Sequence, residues 1–409
     1  MKEICIFNYK SKAAIYGIGT YIKEYVNCLK GTDYKVNLVE LGTDNTAIDV
    51  YFKEEENIRT IYIPNQDGGT FDKYSKSVCR LLRLYIEDSE NLVFHFHYAQ
   101  SDSLLEYVKK YFPLSKSVCT IHYFSVDNLL RGNISLLKKI INEQENEQIK
   151  EKYPHIIENY NREKTYWGKI THIICLSGYM REILYKDYRI EAGKVSVIPN
   201  GLTDRFERSK NKKHLRKKWN VAVREKIILF AGRLDEIKGL GYLIKAFREA
   251  LTVCPQIRLV VAGDGDFRKY LGESSEIYTK ITFTGFLDKS QLYEWYRIAD
   301  VGITPSLYET FGYVAVEMMM HELPVVATAT SGLNEIVDDT CGLKMPVTEL
   351  PDRVEIDVAL LSQKIIYLLQ HPSEARKMGR NGRKRFLREY SSEVFRRNIL
   401  NFYTSVFGF

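Results

Sequence analysis

Residues 299–327 read ADVGITPSLYETFGYVAVEMMMHELPVVA. A short apolar strand at 301–304 runs into a Pro-Ser turn, then Glu309, then Phe311-Gly312, then a helical pattern that carries Glu317, then a second apolar run at 324–327. Strand, loop, helix and strand in that order form the unit of a parallel α/β sheet. A glycine at a helix start turns backbone N–H groups toward an anionic ligand. With most of the segment helical, the two carboxylates lie at most about 12 Å apart. That span suits a ligand with hydroxyl groups on either side of a phosphate, since carboxylates accept from hydroxyls and repel phosphate. The alternative is two glutamates on a solvated helix face. Against it, Glu317 sits among Val314, Val316, Met318, Met319 and Met320, and a buried carboxylate needs a partner.

The same alternation continues outward through all 409 residues. Strands are expected at 4–8, 36–41, 60–63, 92–97, 117–121, 170–176 and 195–199, and then at 227–231, 258–262, 281–284, 301–304 and 324–327. The length exceeds what one ordinary core fills and predicts two domains. Turn residues Pro199-Asn200-Gly201, followed by a basic, hydrophobe-poor stretch, divide the chain into 1–202 and 203–390. Helical spacing of Val394, Phe395, Ile399, Phe402 and Val406 predicts that the final segment, 391–409, docks as a helix.

Composition narrows the function classes. Hydrophobic content is 45%, and no apolar run is long enough to cross a membrane. The start, MKEICIFNYK, reads as a first strand and not as a signal peptide. Seven scattered cysteines without a CxxC pair argue for reduced thiols, hence a cytoplasmic location. The net charge of +7 is uneven, with ten Lys or Arg between Arg205 and Lys226 and a second cluster from Arg376 to Arg397. Solvated helix faces account for such clusters, as does attraction to an anionic membrane or a phosphorylated acceptor. No nucleic-acid motif accompanies the charge. The stretches 104–116 and 128–141 pair apolar residues with lysines, a pattern shared by interfacial and core-facing helices.

Loops at the carboxyl ends of the expected strands carry the remaining candidates. In AGRLDEIKG, Arg233 and Lys238 together neutralise a diphosphate, Arg as a planar fork and Lys as a point charge. In AGDGDFRKYL, Gly263 and Gly265 allow a tight turn, and Asp264 and Asp266 imitate a metal-binding pair. Three nearby cations, Arg233, Lys238 and Arg268, can do the neutralising instead, so no metal is expected. Gly17 and Gly19 precede a helix. A dinucleotide fingerprint fails there because Ile22 stands at the third glycine position, and a loop closing over phosphates across a cleft fits better. His122 ends a strand, where it contacts a ligand or serves as a structural histidine. His95 and His97 are read as facing opposite sides of their strand, which argues against a zinc pair.

Together these motifs resemble family 4 of the retaining glycosyltransferases, which have the GT-B fold. The resemblance rests on Gly17-Ile-Gly19, VIPNG, GRLDEIKG, GDG, FTGFLDKSQLYEWYRIADVGITPS, ETFGYVAVE and PVVAT followed by SGLNEIV, and spans nearly the whole chain. It implies two Rossmann-like doubly wound domains facing a cleft, with the last helix crossing back to the first domain. It implies a nucleotide-sugar donor held mainly by the second domain: Glu309 on the sugar, Glu317 on the ribose, Phe311 and Gly312 against sugar and phosphates, Arg233 and Lys238 on the diphosphate. Gly17 and Gly19 reach over from the first domain, and His122 lies near the sugar. The expected reaction is metal-independent hexosyl transfer with retention, by front-face attack, to a glycan, lipid-linked or peptide acceptor in cell-surface polysaccharide or glycoconjugate synthesis. A site on the inner face of a membrane is compatible with it. The region 128–169 looks larger than a minimal member needs and reads as an acceptor-side insertion. The rivals are an epimerase of the same fold, a pyridoxal-phosphate phosphorylase and a non-catalytic sugar-nucleotide-binding subunit.

Overall fold

The structure, a computed structural model, describes residues 1–9, 17–43, 51–65, 70–97, 102–207 and 212–408. The chain divides into two compact units, one of residues 1–124, 154–203 and 392–409, the other of 125–153 and 204–391.

The first unit is built on an eight-stranded sheet of β1 (Glu3–Tyr9), β2 (Lys35–Thr43), β3 (Tyr51–Glu55), β4 (Ile58–Pro64), β5 (Leu92–Phe96), β6 (Lys116–Ile121), β7 (His172–Cys175) and β8 (Val195–Val197). Their order is β3-β4-β2-β1-β5-β6-β7-β8, and only β3 and β4 pair antiparallel. Ile4, Cys5 and Ile6 are wholly buried on both faces of β1, which is why parallel strands read as unbroken apolar runs. The helix Ser392–Phe407 packs on the helix Gly17–Leu29 of this unit. It buries Phe395, Ile399, Phe402, Tyr403, Val406 and Phe407.

The second unit has six parallel strands, β9 (Lys226–Ala231), β10 (Ile257–Ala262), β11 (Ile281–Gly285), β12 (Val301–Thr304), β13 (Val325–Thr328) and β14 (Gly342–Met345). The order β11-β10-β9-β12-β13-β14 reverses direction between β9 and β12. At such a switch point the loops leaving the two strands diverge and open a crevice at their carboxyl ends. A small antiparallel hairpin, β15 (Val347–Glu349) and β16 (Val354–Ile356), lies apart from the sheet.

One segment departs from the sequence division. Residues 125–153 follow β6 yet belong to the second unit, so the region 128–169 is not a single acceptor-side insertion. Asn133 Nδ2 donates to the carbonyls of Leu350 (2.7 Å) and Arg353 (3.3 Å), and Glu349 accepts from Ser135 N at 2.9 Å. Arg131 pairs with Glu236. These partners are remote in sequence, and no local pattern announces them. The helices Asp102–Tyr111 and Ile134–Asn142 turn Leu104, Leu105, Val108, Leu137 and Ile140 into protein interior, so their apolar faces are core faces. Among the described residues no helix is long and apolar enough to cross a membrane.

Candidate active site

The crevice of the second unit forms where the loops after β9 and β12 meet. Leu307 N donates to Ile237 O at 2.7 Å, which ties one loop to the other. Gly239 makes the approach possible: its φ is +70°, and a Cβ there would stand 1.9 Å from Pro305 O. The result places Lys238 beside Glu309, and the ammonium donates to Glu309 Oε2. Glu309 is held from the other side by the loop after β13, with its N–H on Ser331 Oγ (3.2 Å) and its carbonyl on Gly332 N (2.9 Å). A cavity of about 30 Å³ lies beside the pair, lined by Lys238, Thr304, Ser306, Glu309, Gly312 and Ala315.

The helix begins later than the sequence suggests. It spans Tyr313–Met320, with Gly312 as its N-cap at φ +101°, so Glu309 stands in the loop and only Glu317 is helical. The first N–H groups of such a helix have no intrahelical acceptor and carry the positive end of its dipole. Gly312 therefore brings a positive pole to the cavity that Lys238 and Glu309 also line. Phe311 is 3% exposed and packs edge-on against Tyr313 and Tyr390, so it anchors the loop through the core. Glu317 is completely buried. Lys289 donates to its Oε1 and Tyr296 OH to its Oε2, the latter at 2.9 Å. Burial of the Tyr296 hydroxyl beside this carboxylate holds its pKa well above the usual phenol value. Neither partner was among the sequence candidates. The signal was present in LDKSQL, where the capping box of Asp288 and Gln291 starts a helix just beyond β11.

Arg233 is half-exposed and paired with Asp235 at 3.1 Å, on the same loop as Lys238. Gly263 serves loop packing, since a Cβ would fall 1.8 Å from Gly232 O. Asp264 Oδ1 accepts from Gly265 N (2.8 Å) and Asp266 caps the helix Phe267–Glu273, so both carboxylates have local turn duties. Among the described residues no cluster of three or more His, Cys, Asp or Glu side chains is arranged to hold a metal.

In the first unit, Gly17 and Gly19 form the first turn of the helix Gly17–Leu29, and the loop before them lies outside the described residues. His122, one residue past β6, is 8% exposed, with Nε2 3.3 Å from His97 Nδ1 and its ring edge-on to Tyr21. The opposed orientation expected for His95 and His97 is wrong. Their rings stack with centroids 4.6 Å apart, because residues i and i+2 of a strand share a face. His95 is bonded to Thr120 Oγ1 (2.8 Å), Tyr25 OH (2.6 Å) and Tyr403 OH (2.9 Å). Burial pushes the pKa of His95 and His122 down to about 3 and that of His97 well below the usual imidazole range. The cluster is therefore neutral, able to exchange hydrogen bonds but not to present positive charge.

Residues 15–205 match the family model described as Glycosyltransferase Family 4, and residues 211–385 match that of glycosyl transferases group 1. An uncharacterized glycosyltransferase of Methanocaldococcus jannaschii is 37% identical over 172 residues, 40% of this chain and 44% of that protein. The lipopolysaccharide 1,2-N-acetylglucosaminetransferase of Salmonella typhimurium is 33% identical over 38% of this chain and 44% of its own length. The alpha-monoglucosyldiacylglycerol synthase of Streptococcus pneumoniae is 33% identical over 41% and 39%. The matches thus span less than half the length of these relatives. Among solved structures, a sucrose-phosphate synthase from Thermosynechococcus elongatus superposes with a TM-score of 0.77 at 22% identity, covering 100% of this chain and 99% of that one. Anabaena HepE in complex with UDP-glucose gives 0.70 at 15% identity, covering 99% and 100%. At these identities the likeness shows a shared fold.

Proposed function

Because this chain belongs to the family 4 glycosyltransferases and has their GT-B fold, we propose that it moves a hexose-type sugar from a nucleoside-diphosphate donor to a glycan, lipid-linked or peptide acceptor, retaining the anomeric configuration. The observation that carries this reading is the meeting of Lys238, Glu309 and the helix start at Gly312 at the strand-order switch of the second unit. A departing diphosphate needs positive charge fixed in advance. Lys238 and the helix N–H groups supply it, with Arg233 adjacent. On donor binding the Lys238 ammonium exchanges carboxylate for phosphate, and Glu309 turns its oxygens to sugar hydroxyls. Glu317 then accepts the ribose hydroxyls in competition with Lys289, whose side chain is 53% exposed and is rehydrated when it gives way. UDP and UDP-glucose bound to HepE of the same fold support a nucleotide-sugar donor.

With Glu309 on the hydroxyls, no other carboxylate among the described residues lines the cavity, and the acceptor enters from the face the diphosphate leaves, its proton passing to the leaving-group oxygen. Metal is not required in this scheme, because Lys238 and the helix start at Gly312 supply the positive charge that the departing diphosphate needs. His122, neutral, donates or accepts one hydrogen bond near the sugar. Polysaccharide or glycoconjugate synthesis is the setting that the lipopolysaccharide and glycolipid relatives support, and a cytoplasmic location, peripheral on the inner face of a membrane, is part of the same proposal.

The test is a screen of UDP-, GDP- and ADP-sugars for donor hydrolysis and thermal stabilisation, followed by transfer assays. Glu309→Ala and Lys238→Ala are each expected to lose at least 100-fold in kcat/KM, about 2.7 kcal/mol of transition-state stabilisation, with unaltered circular dichroism. Undiminished turnover by either variant removes these roles, and activity abolished by EDTA removes the metal-free scheme.

A further inference from the structure

We propose that the Thr304 hydroxyl is a specificity contact for one hydroxyl group of the donor sugar, an inference that rests on the donor reading above. Thr304 is the last residue of β12, at the point where strand order reverses. It is 7% exposed, and its Oγ1 has no hydrogen-bond partner among the described residues. Leaving a buried hydroxyl unpaired is costly, and the strand does not need one. Val301 and Ile303 pack the same strand without any polar atom, and valine has the shape of threonine.

The surroundings explain what the hydroxyl is for. Thr304 lines the cavity that Lys238 and Glu309 also line. Its volume of about 30 Å³ exceeds the roughly 10–15 Å³ that a single water-sized group needs, and falls far short of a sugar ring. It therefore admits one substituent. An alcohol donates one hydrogen bond and accepts two. Glu309 accepts, Lys238 donates, and Thr304 does either, so the three groups together satisfy an alcohol completely. A site whose polar groups are completed only by a substrate hydroxyl discriminates strongly against a ligand that lacks it.

The experiment compares Thr304→Val and Thr304→Ser with the wild type. Calorimetry measures binding of the tightest sugar nucleotide from a panel of UDP-glucose, GDP-mannose and ADP-glucose, and of the matching nucleoside diphosphate alone. Thr304→Val is expected to weaken the sugar nucleotide about tenfold, to leave the nucleoside diphosphate within twofold, and to melt no lower than the wild type. Thr304→Ser is expected to keep the wild-type preference. Equal weakening of both ligands assigns the contact to phosphate and overturns the proposal, and loss of preference in Thr304→Ser assigns it to packing and does the same. If the wild type binds a sugar nucleotide and Thr304→Val binds it equally well, this contact alone is wrong. A wild type that binds none of the panel overturns the donor reading and the contact with it.

Discussion

The three clustered histidines of the first unit, His95, His97 and His122, are neutral because they are buried, and that neutrality has a cost at low pH. In the unfolded chain each titrates near 6.5, whereas in the native protein His95 and His122 are held down to about 3 and His97 is held well below the usual range. Between those values the unfolded state binds more protons. The stability they contribute is complete above pH 6.5 and is lost as pH falls toward 3, by up to about 1.4 kcal/mol per pH unit for each histidine. Urea midpoints are expected to be flat from pH 8 to 7 and to drop steeply below 6.5, and His122→Asn should shed part of the slope. A slope unchanged by that substitution would place the titration elsewhere. Single residues were also where the sequence was least legible. Glu309, Glu317 and Lys238 stand out by motif, but their partners are side chains 71, 28 and 21 positions away, and only the folded chain brings Lys238, Lys289 and Tyr296 to those carboxylates.

At the level of elements, the buried parallel strands were legible because both faces are covered, so IILFA, LVVA and VGI read as unbroken apolar runs. The strand GLKM at β14 was missed, being short and carrying a lysine, as were the edge strand β3 and the hairpin β15–β16. The placement of 125–153 in the second unit could not be read at all. It has a functional consequence, since Gly132 lies against the loop that carries Glu309, with φ +78° and a hypothetical Cβ 3.0 Å from Leu307 O and 3.1 Å from Tyr308 Cβ. Arg131 at the same time braces Glu236, two residues before Lys238. Gly132→Ala therefore strains the backbone by about 1–3 kcal/mol and pushes on the Glu309 loop. A several-fold higher donor KM with kcat less affected is expected, together with a lowered urea midpoint. Arg131→Ala should raise KM with little loss of stability, because the pair is half-exposed. Wild-type kinetics in both variants would show that the segment merely rests on the unit.

For the whole molecule, the division into two units makes a sharper statement than the order of the sequence. The last helix is far from the first unit along the chain, yet it supplies part of that unit's core and one corner of its histidine network, where Tyr403 meets Tyr25 and His95. Arg396 fastens it further, donating to the carbonyls of Cys28 (2.6 Å) and Lys30 (3.1 Å). Part of the carboxyl-terminal basic cluster is thus engaged within the fold, as Arg383 with Asp204 and Arg385 with Asp338 also show, and is not available as a membrane patch. Burying Phe395, Ile399, Phe402 and Val406 is worth about 1.5–3 kcal/mol each. Their sum is comparable to the roughly 5–15 kcal/mol that keeps a domain folded. Truncation after Ser391 should therefore unfold the first unit selectively, while the second, with its own core around Ile228, Phe230, Leu259 and Val261, persists. Hydrogen exchange read by mass spectrometry separates the two: peptides from β1, β2, β5 and β6 should lose protection, and peptides from β9, β10, β12 and β13 should keep it. Equal loss in both sets would mean that the second sheet depends on the first for its stability, and the final helix would then be holding the whole chain and not one unit of it.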